Sequence, residues 1–569
     1  MCKNQNGNKC FYLKKKNLLP SSIIVKILYV LDQVVTTKKN RDLLRDNKKR
    51  EVITFSVPIP FNEIKTDVII STSDSSDLSK EEIIRQAFKF HSNGNVRDAI
   101  KYYQLFFKQG FSDPQVFNNY GIILFNLGKL EDAEIILRKA IKLRPDFAQS
   151  YLNLGRILKD LGKIKESELA TIKAIKLRPD YAEAYYNLGN TYRTTGRLQK
   201  AKSMISKALT INPNLANAHF NLGSILKDLG KLSEAEESTR KAIELNPNNE
   251  NYYFNLGAIL SDLGRLKQAK KSWEKAIYLN PKFENAIFEL AQRLYLDGDY
   301  RSVIKYVSNL TSDRFRILYL SSLLSIDDEE RFYQIYEQML TNNIYNSEVG
   351  GIIEHANVIY NKNYNSLFCN KALDYIFIDK INESLLSNNH FNQLISYVKS
   401  DDIQVRSQNT LINGVQTSGN LFKLNYPFIN SLKEAIEKKI QIYKNTFKES
   451  SQGFINNWPD DYELRSWMIA MKKGGFLKPH NHGYGWITGS FYLQVPKTKD
   501  NDESGSIAFT YQGPDFPVKG KEFLSKVQKL ETRDLCIFPS SLFHQTIPFE
   551  SSEERICFVF DLIKRNNNI

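Results

Sequence analysis

A pattern that recurs every 34 residues from Asn119 onward constrains the fold of this 569-residue chain more than any other feature. Each unit carries two glycines, an alanine and a closing proline, and the second glycine falls where a turn between two helices is expected. The recurring residues are Gly121, Gly155, Gly189, Gly223 and Gly257; Gly128, Gly162, Gly196, Gly230 and Gly264; Ala140, Ala174, Ala208, Ala242 and Ala276; and Pro145, Pro179, Pro213, Pro247 and Pro281. A helical hairpin of this length cannot bury its apolar face alone, so the period predicts hairpins that stack into one array.

The period and its marks resemble the tetratricopeptide repeat. Degenerate copies flank the regular units, "SKEEIIRQAFKFHSNGNVRDAIKYYQLFFKQG" before them and "AIFELAQRLYLDGDYRSVIKYVSNL" after them. Terminal repeats are usually atypical because they cap the stack. We therefore expect an α-helical tetratricopeptide superhelix over residues 79–310, which implies a protein or peptide partner more than a small molecule.

A further series stands two residues before each first glycine and consists of Asn119, Asn153, Asn187, Asn221 and Asn255. It resembles the asparagine ladder in the superhelical repeats of O-linked N-acetylglucosamine transferases, which implies a concave groove that holds an extended peptide. An amide side chain both donates to and accepts from a peptide backbone, which suits that role. The alternative is that asparagine is a consensus residue here, kept for hydrogen bonds within the array.

Beyond the array the pattern changes twice. Residues 311–403 lose the period but keep a helical pattern, which predicts a helical connector. Residues 404–569 contain a helix, "PFINSLKEAIEKKIQIYKNTF", and short apolar runs such as "LRSWMIAMK", "ITGSFYLQVP" and "RICFVFDLI". Short strands separated by turn residues predict a helix-braced double-stranded β-helix, or jelly-roll, barrel. The chain as a whole is expected to be a multidomain α + β protein.

Two of the seven histidines, His480 and His482, stand two residues apart in "FLKPHNHGYGWITGSFYLQVP". In an extended strand alternate side chains share a face, so both imidazoles are expected to point at one spot. His544 follows 62 residues after His482 on a separate predicted strand, and Arg555 follows 11 residues after His544. This spacing predicts that the three histidines bind one metal ion.

The phrases "MKKGGFLKPHNHGYGWITGSFYLQVP", "SGSIAF" and "DLCIFPSSLFHQTIPF…ERICFVFD" resemble the iron(II)- and 2-oxoglutarate-dependent dioxygenases with a double-stranded β-helix fold. The resemblance implies a hydroxylase whose repeats recruit a protein substrate. It further implies that His480, His482 and His544 bind Fe(II), and that Arg555 binds the far carboxylate of 2-oxoglutarate. Tyr492 either donates to that carboxylate or is a core tyrosine.

The chain departs from the usual motif of these enzymes, which has Asp or Glu where His482 stands. An imidazole also suits zinc or copper, so a zinc-bound water with hydrolytic chemistry is one alternative. The other is a non-catalytic scaffold, in which the repeats bind partners and the barrel is inactive. A hairpin that pairs Pro548 with Arg555 would place the arginine on the face of His544, whereas a one-residue slip would make it a surface residue.

Charge and cysteine content bound the remaining function classes. The net charge is +15, but residues 1–50 alone hold 13 Lys or Arg and three Asp, so 10 of these charges lie in that stretch. We interpret residues 1–78 as a basic, largely disordered arm, and nucleic acid as an unlikely partner. Five scattered cysteines favour a reducing compartment, and no early apolar run reaches the roughly 20 residues of a membrane span. These features predict a cytoplasmic protein without a membrane partner.

Overall fold

The computed structural model describes residues 78–400, 405–406, 410–497 and 502–565. The predicted basic arm therefore lies outside the described residues, apart from residue 78. The described chain divides into two compact units, residues 78–290 and residues 291–565. Among the described residues, every helix is either too short or too polar to cross a bilayer.

The first unit is a regular succession of helical hairpins, as the 34-residue period predicts. Its helices are α1 (Lys80–Ser92), α2 (Val96–Lys108), α3 (Pro114–Asn126), α4 (Leu130–Leu143), α5 (Ala148–Asp160), α6 (Ile164–Leu177), α7 (Ala182–Thr194), α8 (Leu198–Ile211), α9 (Ala216–Asp228), α10 (Leu232–Leu245), α11 (Glu250–Asp262) and α12 (Leu266–Leu279), followed by α13 (Glu284–Leu296). Each pair is joined by a short turn, and the whole forms the helical superhelix of a tetratricopeptide array.

The two glycine series of the repeat have different physical roles. The turn glycines adopt a positive φ, for example 76° at Gly162, which other residues rarely tolerate. The glycines within the first helix of each hairpin allow close packing instead. A Cβ atom on Gly155 would lie 2.3 Å from the Thr171 hydroxyl, and one on Gly257 would lie 2.3 Å from the Trp273 indole nitrogen. One glycine of each repeat is therefore required by the turn, and the other by the close contact between the two helices.

The second unit begins with helices and continues into strands. Its helices are α14 (Tyr300–Val307), α15 (Asp313–Ser325), α16 (Glu329–Thr341), α17 (Ser347–Tyr360), α18 (Asn388–Val398), α19 (Pro427–Thr446) and the single turn α20 (Gly453–Asn456). Its strands are β1 (Phe377–Lys380), β2 (Val405–Arg406), β3 (Leu411–Thr417), β4 (Tyr462–Leu477), β5 (Ile487–Gln494), β6 (Ile507–Thr510), β7 (Ser525–Gln528), β8 (Asp534–Pro539), β9 (Phe543–Thr546) and β10 (Arg555–Lys564).

The strands form two antiparallel sheets. The larger has the order β1-β8-β5-β10-β4-β3-β2, and the smaller has the order β7-β6-β9. The described strands do not close these sheets into one hydrogen-bonded cylinder. One face of the larger sheet packs against the smaller sheet. Phe538 of β8 contacts Phe509 of β6 and His544 of β9, and the ring centroids are 4.8 Å apart in both pairs.

Helix α19 braces the opposite face of the larger sheet. Its apolar side buries Ile429 and Ile436 in the same core as Phe558 and Phe560 of β10. Alternation along β10 explains this, since successive residues point to opposite faces and the even-numbered ones are apolar as far as Leu562. A long amphipathic helix and the apolar face of a strand thus share one core.

The segment predicted as a helical connector, residues 311–403, contains more than helices. Strand β1 lies within it and pairs antiparallel with β8, with Phe377 opposite Ile537. Residues such as Phe368 and Leu394 lie in the core of the second unit. A strand of four residues at a sheet edge has too little periodicity to be recognised in the sequence. The domain boundary at residue 404 stays a prediction.

Candidate metal centre

The three histidines predicted as ligands come together, although not in the way the strand argument assumed. Strand β4 ends at Leu477, so His480 and His482 lie beyond it rather than on a strand. Pro479 supplies a reason, because it has no N–H group with which to continue the ladder. The expectation of two imidazoles on one strand face is therefore wrong, while the expected convergence is present.

Main-chain hydrogen bonds fix this segment to the neighbouring elements. His480 and His544 form a reciprocal pair, with N-to-O distances of 3.1 and 2.9 Å. The His482 N–H donates to the Ser540 carbonyl at 3.1 Å. The backbone thus places His480 and His482 directly against the connection between β8 and β9 and against β9 itself.

The imidazoles form a compact triangle. Ring centroids are 4.4 Å apart for His480 and His544, 5.2 Å for His482 and His544, and 5.3 Å for His480 and His482. One nitrogen from each ring lies within 4.8 Å of the corresponding nitrogens of the other two. Two nitrogens bound to one first-row metal at about 2.1 Å are at most about 4.2 Å apart, so small ring adjustments suffice.

The other ring nitrogen of each histidine already has a partner. Nδ1 of His480 lies 2.8 Å from the Lys478 carbonyl, and Nδ1 of His544 lies 3.3 Å from the Leu542 carbonyl. Nδ1 of His482 lies 2.7 Å from Oδ1 of Asp561. An oxygen acceptor at Nδ1 favours the tautomer that carries its proton there, so the lone pair at Nε2 is left for a metal ion.

Burial keeps two of these rings neutral at physiological pH. It lowers the pKa of His480 to about 4, and the neighbouring His482 acts in the same direction. Burial likewise holds the pKa of His544 well below its ordinary value, with His480 and His482 contributing. A neutral imidazole is the form that binds a metal, so the environment suits the chemistry of the donor set.

Aromatic side chains enclose the triangle. The Trp467 ring stacks on His482 with centroids 5.6 Å apart, and the Phe538 ring meets His544 edge-on. His544 is 6% exposed, whereas His480 and His482 are half-buried. One side of the centre is therefore apolar and enclosed, and the other opens toward solvent.

Arg555 is buried rather than on the surface, being 2% exposed at the start of β10. Its Nε atom donates to the Gly505 carbonyl at 2.9 Å, and its guanidinium carbon lies 4.9 Å from the centroid of the Tyr492 ring. Tyr492 is 1% exposed, and burial raises its pKa, although the nearby arginine acts in the opposite direction. No carboxylate of the described residues lies within ion-pair distance of Arg555.

The hairpin that would pair Pro548 with Arg555 is absent from the described strands. Strand β9 belongs to the smaller sheet, whereas β10 pairs with β4 and β5 in the larger one. The chain between them, residues 547–554, is long enough to pass from one sheet to the other. Arg555 nevertheless shares its strand face with Asp561, the partner of His482, because the two stand an even number of residues apart.

Sequence reasoning did not identify Asp561, Thr488 and Ser540. The Thr488 hydroxyl donates to Oδ1 of Asp561 at 2.8 Å and lies 2.8 Å from the Ser540 hydroxyl. A signal was present, since Asp561 is the one charged residue within the apolar run "ICFVFDLI". A charge inside such a run is expensive to bury unless it has a specific partner.

The asparagine series divides into two groups. Asn153, Asn221 and Asn255 are at most 9% exposed, whereas Asn119 and Asn187 are half-buried. Nδ2 of Asn153 donates to Oδ1 of Asn118 at 3.0 Å. These contacts lie within the array, which is what the consensus interpretation expects of the buried members.

The asparagines of the later repeats also make hydrogen bonds within the array. Nδ2 of Asn221 donates to Asn190 at 2.7 Å and to the Tyr186 hydroxyl at 3.0 Å. Nδ2 of Asn255 lies 3.2 Å from the Thr239 hydroxyl. Peptide binding by the series stays a prediction, and Asn187 is its best placed member because it lines a groove of about 180 Å³.

Comparison with known proteins agrees with both halves of this description. Tetratricopeptide repeat families match residues 114–147, 148–181, 182–215, 216–249 and 251–283. The family described as "Putative 2OG-Fe(II) oxygenase" matches residues 465–561, which include His480, His482, His544 and Arg555. The chain therefore combines a tetratricopeptide array with a C-terminal domain of that oxygenase family.

Solved structures resemble part of the chain. They include the MamA protein, with 25% identity over 30% of this chain and 92% of that chain and a TM-score of 0.27. A thermophilic tetratricopeptide protein from Thermus thermophilus, TTC0263, has 24% identity over 32% of this chain and 100% of that chain, with a TM-score of 0.28. YrrB, titled a tetratricopeptide protein with an unusual peptide-binding site, has 23% identity, 31% and 90% coverage, and a TM-score of 0.27. No curated protein gives a significant match.

Proposed function

We propose that the second unit is an Fe(II)- and 2-oxoglutarate-dependent dioxygenase, a hydroxylase whose substrate is a protein or peptide recruited by the repeats. The single observation that carries the proposal is the burial of Arg555, which is 2% exposed. A buried guanidinium without a carboxylate partner is costly, and an anionic ligand would offset that cost. Its strand face also carries Asp561, which contacts the histidine triangle through His482.

Each protein group has a role in this proposal. His480, His482 and His544 would hold Fe(II) through Nε2, because imidazole nitrogen is a donor that suits iron. Arg555 binds the far carboxylate of 2-oxoglutarate, because its planar guanidinium suits a bidentate pairing. The Tyr492 hydroxyl donates to the same carboxylate.

Iron and cosubstrate, when bound, would supply the oxidative chemistry, in which 2-oxoglutarate, O₂ and a C–H bond give succinate, CO₂ and an alcohol. The chain's own residues position and protect this reaction. Trp467 and Phe538 pack against the ligand rings and exclude water from the enclosed side. The half-buried side of the triangle is where a substrate would approach.

We further propose that the two antiparallel sheets are the halves of a double-stranded β-helix, with the metal centre between them. Two contacts that join the sheets support this arrangement. Phe538 of β8 in the larger sheet packs on Phe509 of β6 in the smaller one, and His480, just after β4, pairs its main chain with His544 of β9. The order of the larger sheet also places β10 beside β4 and β5.

The repeats would supply the substrate. Tetratricopeptide arrays are protein-interaction modules, and the groove lined by Asn187 and Asn217 offers amide groups to an extended chain. We expect the partner to be a protein or peptide and the protein to act in the cytoplasm.

Succinate formation tests the proposal. Purified full-length protein supplied with Fe(II), 2-oxoglutarate, O₂ and ascorbate, the reductant that takes the place of the unidentified substrate as electron donor, should produce succinate. Omission of Fe(II), 2-oxoglutarate or O₂ should stop it. His544→Ala should abolish the reaction because one of three ligands is lost, whereas His390→Ala in α18 should retain it. An inert scaffold or a zinc hydrolase would give no succinate under any of these conditions, and that result would refute the proposal.

A further inference from the structure

The three histidines of the metal centre differ in what their Nδ1 atoms contact. His480 and His544 donate to main-chain carbonyls, whereas His482 donates to the carboxylate of Asp561 at 2.7 Å. Asp561 is 6% exposed and lies on β10. Of the three candidate ligands, His482 is therefore the one whose Nδ1–H is accepted by a carboxylate.

The carboxylate is itself held in place. Thr488 stands opposite Asp561 in the register of β5 and β10. Its hydroxyl donates to Oδ1 of Asp561 at 2.8 Å and is 2.8 Å from the Ser540 hydroxyl. Thr488 and Ser540 are fully buried. The orientation of Asp561 is therefore determined by the sheet and not by solvent.

The donor set explains why such a carboxylate matters. Three imidazole ligands bring no negative charge to a divalent cation. A carboxylate that accepts the Nδ1–H of a ligating histidine fixes the ring and makes it a stronger donor. The carboxylate can therefore increase the negative charge at the metal-binding nitrogen of the ring without itself contacting the metal ion.

We propose that Asp561 is the carboxylate of this metal centre and acts through His482, orienting that ring and supplying the negative charge that the three ligands lack. The inference rests on the proposed metal centre and deepens it. Asp561 is a positioning residue, because it touches a ligand and not the metal or a substrate.

Metal affinity tests the role without any need for turnover. Binding of Mn(II) alone to the full-length protein is followed by the electron paramagnetic resonance signal of free Mn(II). Asp561→Asn keeps the size of the side chain but removes the charge, and we expect about 10- to 100-fold weaker binding. The matched control is Asp534→Asn, because Asp534 is also 6% exposed but bonds to the Glu531 N–H instead of a histidine. We expect that variant to bind within about twofold of the wild type.

A spectroscopic signature separates this role from a merely structural one. The visible absorption of the Co(II)-loaded protein reports the donor strength of the ligands, so it should shift in Asp561→Asn and stay unchanged in Asp534→Asn. A structural role would lower the melting temperature but leave both the spectrum and the Mn(II) affinity of the folded protein as in the wild type. That pattern would overturn the inference.

A second variant covers the case in which Asp561→Asn does not fold. Thr488→Val removes only the hydroxyl that holds Asp561, and we expect about two- to tenfold weaker Mn(II) binding. Unchanged affinity in a folded Thr488→Val protein would then overturn the inference. A wild type that binds no Mn(II) would instead refute the proposed metal centre, which distinguishes the two failures.

Discussion

Glu354 shows how burial alone can set the charge of one side chain in this fold. The residue lies in α17, where burial raises its pKa from 4.5 to about 7 and a hydrogen bond from the Lys371 N–H opposes the shift. Its folded-state pKa is therefore above its unfolded-state value. The protonated form is favoured in the folded chain, so the associated stability is present below about pH 4.5 and is lost as the pH rises through 7.

We predict that Glu354→Gln removes this pH dependence. Glutamine keeps an acceptor for the Lys371 N–H but cannot ionise. The stability of the variant relative to the wild type should therefore increase as the pH rises from 5 to 8. The gain is at most about 3 kcal/mol in the free energy of unfolding, from about 1.4 kcal/mol per pKa unit. Melting temperatures of both proteins across this range measure it. A constant difference between them at every pH would contradict the assignment.

At the scale of helices and strands, the asparagines of the repeats provide a paired comparison. Asn221 on α9 donates two hydrogen bonds to the preceding repeat, whereas Asn187 on α7 makes no side-chain hydrogen bond to the described residues. The two stand at the same repeat position, 34 residues apart. They therefore serve as controls for each other.

We predict that Asn221→Ala destabilises the array by about 1 to 3 kcal/mol, because it removes two hydrogen bonds to half-buried partners, each worth about 0.5 to 1.5 kcal/mol. Asn187→Ala should change stability by less than about 0.5 kcal/mol and should instead weaken binding of a verified peptide partner. Thermal unfolding followed by circular dichroism measures the first effect, and calorimetric titration the second. Equal destabilisation by the two variants would show that Asn187 also serves the array.

These elements also show what can be predicted from the sequence. The helical hairpins can be predicted from the period because each repeat contacts only its neighbours, so the spacing of residues along the sequence is sufficient to predict the fold. The contact between His482 and Asp561 spans 79 residues and depends on the register of β5 and β10. The possible hairpin between β9 and β10 does not form for the same reason, because pairing with distant strands decides the sheet to which each strand belongs.

At the scale of the whole molecule, the chain joins two units of different construction. The repeats present a polar groove, and the second unit contains a cluster of three imidazoles and a buried arginine. Of the net charge of +15, 10 charges lie in residues 1–50, which precede the described residues. In the proposed function, the repeats recognise a polypeptide and the histidine centre carries out the oxidation.

The central claim is that Arg555 and the histidine triangle form one 2-oxoglutarate site, and calorimetric titration with 2-oxoglutarate under anaerobic conditions tests it most directly. Mn(II)-loaded wild type should bind the cosubstrate. Arg555→Ala should retain Mn(II) but bind 2-oxoglutarate about ten- to over a hundredfold more weakly, because one charge-assisted pairing of about 1.5 to 3 kcal/mol is lost. Arg565→Ala, a change to an exposed arginine just beyond the end of β10, should bind it as the wild type does. Equal binding by wild type and Arg555→Ala, or no binding by the wild type, would contradict the account.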